Sequence, residues 1–174
     1  MQQVFVQIAA ILTVLILLHA AWSDLATRII PDTASLVIAL SGLCVRASAG
    51  PAAVGSSAAL ALVLFALLVL AHARGILGGG DVKLLTALAI GLPPETTLNL
   101  LAAVSLAGGV LAMAHLLLRR LVPVSPGYAW LAGWPQFSRI CRIESWRIRR
   151  HAPLPYGVAI AAGGVWTLLL NFGS

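Results

Sequence analysis

Carboxylates are scarce in this chain. Five of its 174 residues are Asp or Glu against eleven Lys or Arg, and all charged residues together make up 9%. Soluble globular domains carry about 25% charged residues, so that class is excluded. The two cysteines, Cys44 and Cys141, stand apart with no CxxC partner, which removes a disulfide framework and a cysteine zinc site. His19, His72, His115 and His151 lack any HExxH-type spacing that would set two imidazoles on one helix face for a metal. They read as packing or interfacial residues. Neither a metal nor a cofactor is expected. The pI near 10.7 comes from short basic loops beside apolar runs, a pattern of membrane topology rather than of nucleic-acid binding. No nucleic-acid partner is therefore expected, and there is no internal repeat or low-complexity tract.

Apolar sequence is what the chain has in abundance. Hydrophobic residues make up 60% and the mean hydropathy is +1.00, which indicates an all-α polytopic membrane protein with lipids as its surroundings. Apolar stretches run from Val4 to Trp22, Ile29 to Val45, Val54 to Ala73, Thr97 to Leu118 and Leu154 to Leu170, each near the ~20 residues needed to cross a bilayer. A sixth, Val82 to Leu92, has only eleven residues, about 16 Å of helix against a hydrocarbon core of about 30 Å. It cannot cross alone. Either Ile76 to Gly80 continues the crossing in broken form, or Asp81 lies below the membrane surface on the floor of a wet cavity.

Six spans place ten of the eleven basic residues on one side and leave only Arg46 on the other. By the positive-inside rule the ten are cytoplasmic and both termini face out. Omitting the short fourth span would put the last basic loop opposite the first two. The expectation is a single membrane-embedded domain over residues 1–174, a bundle of six transmembrane helices. A signal peptide at residues 1–24 is opposed by the absence of Lys or Arg before the apolar run and by the length of that run.

Two aspartates stand at span ends. Asp24 opens the first cytoplasmic loop, Ser23-Asp24-Leu25-Ala26-Thr27-Arg28-Ile29-Ile30-Pro31-Asp32, and Asp81 follows Gly78-Gly79-Gly80. An Asp at the centre of a membrane helix costs roughly 2.5–3.5 kcal/mol on insertion scales, so carboxylates beside such spans call for a reason. The topology puts both on one face of the bilayer, where they can meet. Two carboxyl groups sharing a proton perform aspartic proteolysis: one takes a proton from the attacking water while the other donates to the scissile carbonyl. Three glycines permit positive φ and the close approach of an extended substrate. A helix starting at Val82 favours ionised Asp81 through its dipole, whereas burial opposes ionisation. The general base is therefore left unassigned between the two.

These residues resemble the type IV prepilin peptidases, membrane aspartic proteases with a GxGD motif. Gly78, Gly80 and Asp81 match it, with Gly79 at the variable position, and Lys83 matches a common basic residue just after it. Asp24 followed by Arg28, Ile30 and Pro31 is similar to the family's first-aspartate region, with Asp32 where the family usually has Asn; Asp24 fits the spacing better than Asp32. Pro155-Tyr156-Gly157 is similar to a third signature. The resemblance implies catalysis by Asp24 and Asp81, with Gly78, Gly79, Gly80, Lys83, Pro155, Tyr156 and Gly157 at the substrate. It implies cleavage of the basic leader from a prepilin or pseudopilin at the cytoplasmic surface of the bacterial inner membrane. The additional cysteine-rich N-terminal region of the bifunctional, methylating members is not seen ahead of the first span, which is the pattern of the short peptidase-only branch associated with tight-adherence pili.

Two other readings use the same residues. A small proton-coupled transporter would employ intramembrane carboxylates as a relay, but it expects charges deep within spans or paired interrupted helices in two halves. A catalytically inactive secretion-assembly subunit would keep the fold without the chemistry. Arg119 to Pro153 carries seven arginines interleaved with Trp130, Trp134 and Trp146, as in an interfacial anchor. Glu95 beside Pro93 and Pro94 fits an outward turn, and Arg46 is expected to snorkel to the outer surface.

Overall fold

The computed structural model describes residues 2–121 and 154–172, and these form six helices. They are α1 (Gln2–Thr27), α2 (Asp32–Ser48), α3 (Pro51–Ala73), α4 (Gly79–Gly91), α5 (Pro94–Leu121) and α6 (Tyr156–Phe172). Each expected apolar stretch overlaps one of them, although Ile29 to Pro31, Leu92, Leu154 and Pro155 fall outside the helices. Three, α1, α3 and α5, are long and apolar enough to cross a membrane. Helices α2 and α6 have 17 residues each, about 26 Å of rise, and α4 has 13, about 20 Å. The expected interfacial anchor falls almost wholly outside the described residues.

Helix boundaries follow local chemistry. Pro51 stands at the start of α3, where its missing N–H would have had no partner. Helix α1 ends through Arg28, whose φ of 60° is left-handed and whose amide donates to the Asp24 carbonyl at 2.9 Å. Such a residue closes a helix and reverses the chain. The turn is then tied by the Ser23 hydroxyl, which donates to the Ile29 carbonyl at 2.7 Å.

The short helix is the centre of the bundle. Helix α4 packs against α2, α3 and α6, and Val82, Leu84, Leu85, Ala87, Leu88 and Ala89 along it are all buried. A helix apolar on every side needs neighbours on every side. Helices α1, α3 and α5 instead turn residues such as Ile8, Leu15, Leu62, Leu67, Leu106 and Val110 outward, a surface suited to lipid. So the helix too short to span a bilayer alone is enclosed by longer ones. Two backbones meet on its flank: a Cβ on Gly42 of α2 would fall 2.5 Å from Gly91 Cα, an approach that only small residues permit. The Ser57 hydroxyl of α3 donates to the Leu92 carbonyl at 2.8 Å just past the C-terminal end of α4.

The connections cluster at two ends. At one, Gln2 Nε2 donates to the Ser48 carbonyl at 3.2 Å and Arg46 Nη2 to the Ala53 carbonyl at 3.2 Å. At the other, the end of α1, the start of α2, the end of α3, and the starts of α4 and α6 come together. Asp24, Asp32 and Asp81 all belong to this second end.

Candidate active site

Asp24 sits one turn before the end of α1, and Asp81 in the first turn of α4. They are 7% and 8% exposed, and their charges interact across the gap between the two helices. Each is held by backbone from elsewhere. The Gly157 amide, at the start of α6, donates to Asp24 Oδ2 at 2.9 Å. Asp81 accepts from the Gly78 amide, at the N-cap of its own helix. That is half of a capping box, in which the third helical residue reaches back to the N-cap N–H.

The glycines act through space rather than through φ. Gly78 is extended with φ −71° and ψ 147°, Gly79 and Gly80 are helical, and none of the three has positive φ. Helix α4 thus begins at Gly79, ahead of the expected start at Val82. A Cβ on Gly78 would lie 2.9 Å from Asp81 Oδ2, and one on Gly80 would lie 3.0 Å from Ile30 Cβ in the turn after α1. The first contact keeps room for the carboxylate; the second seats the start of α4 against the loop that follows Asp24. At Gly157 a Cβ would lie 2.9 Å from both Asp24 Cβ and Asp24 Oδ2. The glycine lets its own amide reach the acid.

Asp32 differs in every respect. Its side chain is 75% exposed and bonds Lys83 Nζ at 2.7 Å, with Lys83 itself 53% exposed. This ion pair joins the start of α2 to the first turns of α4. Pro155 is buried and Tyr156 half-buried, and the Tyr156 hydroxyl lies 3.4 Å from where a Cβ on Gly108 of α5 would sit. Helix α6 is thereby pinned to α5 beside the residue that holds Asp24.

Sequence reasoning missed one contributor. His72, in the last turn of α3, donates from Nδ1 to the Leu77 carbonyl at 2.8 Å, so its proton is on Nδ1. Its ring also comes within 3.6 Å of the Cβ position of Gly79. A histidine shortly before the glycine run was the available signal. Ile30, already named in the first-aspartate pattern, acts through its contact with Gly80, which that pattern did not predict. Among the described residues no three His, Cys, Asp or Glu side chains converge.

Two buried carboxyl groups whose charges interact are suited to sharing one proton, which is acid–base chemistry. Neither a curated protein sequence nor a solved structure matches the chain. The sequence model of the type IV leader peptidase family matches residues 11–113, a stretch that contains Asp24, Asp32, Gly78 to Asp81 and Lys83. With that match over more than half of its length, this membrane chain belongs to the type IV leader peptidase family.

Proposed function

We propose that this chain is an aspartic endopeptidase that removes the basic leader from a prepilin or pseudopilin, with Asp24 and Asp81 as its catalytic pair. The observation that carries the reading is the burial of these two acids, from different helices, within electrostatic reach of each other at one end of the bundle. The third acid of that end is exposed and neutralised by Lys83. Like charges so placed disfavour double ionisation, and a pair sharing one proton has the state that aspartic proteolysis needs.

In the proposed reaction the ionised member takes a proton from water as its oxygen bonds to the scissile carbonyl carbon. The protonated member donates to the carbonyl oxygen. Collapse of the tetrahedral intermediate breaks the C–N bond while a proton passes to the leaving nitrogen, and the pair again shares one proton. Gly78, Gly79 and Gly80 admit the extended substrate, with Lys83 and the Pro155-Tyr156-Gly157 turn beside it. Six membrane spans in one domain, both termini outside and the pair at the cytoplasmic face of the inner membrane complete the reading, which ten basic residues on one side support. It extends to cleavage alone, as in the peptidase-only branch, without methylation of the new N terminus.

Co-expression with a prepilin carrying a basic leader tests this directly. Asp24→Asn and Asp81→Asn should each remain in the membrane and leave the prepilin uncut. Cleavage at the wild-type rate by either variant would sink the pair. An uncut prepilin with the wild-type chain, across candidate substrates, would point instead to an inactive assembly subunit of the same fold.

A further inference from the structure

The end of the bundle away from Asp24 and Asp81 contains a cavity of about 330 Å³, within the range of ligand-sized pockets, roughly 300–1,000 Å³. It lies among α1, α2, α4 and α6 and the turn from α4 into α5. Its depth is apolar, with Ala10, Ile38 and Leu88 on the wall; its rim is polar, with Gln2, Arg46 and Ser48. The lining extends along α1 from Gln2 to Thr13, about 16 Å of helix rise. The shape is therefore long, with a polar mouth and an apolar interior.

Arg46 gives the mouth its sign. One guanidinium nitrogen, Nη2, is anchored on the Ala53 carbonyl at 3.2 Å. Its Nε is buried and has no hydrogen-bond partner among the described residues. A buried N–H left unpaired costs about 1–3 kcal/mol, more on a charged group, so a guanidinium held in this way gains from an anion placed beside it in the cavity. The only carboxylate at this end among the described residues, Glu95, is exposed and is not part of the lining. A cation fixed at the rim of an apolar slot in a membrane bundle fits an anionic headgroup with a hydrocarbon tail.

We propose that this cavity binds one anionic glycerophospholipid of the adjoining leaflet, its phosphate at Arg46 and one acyl chain between α1, α2 and α4. The lipid then fills space along the half of α4 remote from Asp81, and the packing of that helix includes a lipid as well as protein. This does not depend on the peptidase reading.

Native mass spectrometry of the full chain, released from nanodiscs of phosphatidylglycerol or of phosphatidylcholine, tests the proposal. The wild-type chain should retain one phosphatidylglycerol several-fold more often than phosphatidylcholine, because both offer a phosphate to Arg46 but the choline cation is set beside the same guanidinium and repelled by it. Arg46→Gln should erase that preference, and Ala10→Leu, which fills the slot, should reduce retention of both lipids about tenfold. Equal retention of the two lipids by the wild-type chain overturns the proposal without reliance on any variant. So does undiminished phosphatidylglycerol retention by a monodisperse Ala10→Leu protein, or a dimer of the chain that Ala10→Leu dissociates, which would make the slot a contact between copies.

Discussion

Two acidic sites share one end of this bundle and have opposite surroundings. Asp24 and Asp81 are buried, interact with each other and accept backbone N–H groups from Gly157 and Gly78. Asp32, four residues past Arg28 in the same loop, faces solvent and pairs with Lys83. Residue type is identical and environment is everything. A carboxylate in water has little to offer acid–base catalysis beyond its ordinary acidity, whereas two desolvated ones can be forced to share a proton. The difference rests on glycines: replacing the hydrogens at Gly78 and Gly157 with methyl groups would push against Asp81 and Asp24 themselves.

The sharpest way to break the comparison is to neutralise one site at a time. Asp24→Asn or Asp81→Asn should lower prepilin cleavage by about a hundred- to ten-thousandfold, the usual scale of acid–base contributions, in a gel-based leader-removal assay. Equal losses from Asp32→Asn would erase the distinction drawn here.

Next in size is Gly157→Ala. The added Cβ would meet both Asp24 Cβ and Oδ2 at 2.9 Å, so the side chain cannot evade it by rotating its carboxylate alone. A misplacement near 1 Å costs about a hundredfold in well-oriented reactions, and a loss of that order in kcat with KM little changed is expected. Gly78→Ala should cost less, about tenfold, because only the tip of Asp81 need move.

Much of this was legible in the sequence, and the failures have physical causes. Alternation of spans was enough to put Asp24 and Asp81 on one side, because each helix reverses the chain direction. The eleven-residue stretch before Pro93 announced a helix unable to span alone; its solution, enclosure by α2, α3 and α6, depends on packing that no local pattern encodes. Glycine is the instructive case. Its two uses, positive φ and missing bulk, look alike in a single sequence, and the expected φ freedom at Gly78 to Gly80 proved to be space around Asp81 and Ile30. The bond from Gly157 to Asp24 spans 133 residues, and that from Lys83 to Asp32 spans 51. Neither separation leaves a periodic trace.

His72 offers a finer test, since it acts on the glycine run from outside the acid pair. Its Nδ1–H holds the Leu77 carbonyl one residue before Gly78. Asn presents a donor at nearly the same place, so His72→Asn should retain most activity. His72→Ala should lower cleavage a fewfold, about the value of one hydrogen bond. Equal activity of the two variants would remove His72 from the positioning of Asp81.

The smallest effect belongs to the exposed pair, and its smallness is informative. Asp32→Asn leaves an amide oxygen that can still accept from Lys83 and removes only a charge already 75% exposed. Exposed ion pairs contribute about 0–1 kcal/mol, so thermal unfolding in detergent should shift by no more than about 4 °C. Cleavage should stay within about twofold of wild type on the same grounds. The charge change also falls where solvent screens it, so raising salt should weaken the wild-type pair and narrow any stability difference between the two proteins. A loss of cleavage well beyond twofold, at unchanged stability, would mean that the negative charge of Asp32 meets the substrate directly, and the division between a buried chemical pair and a surface ion pair would have to be redrawn around three acids.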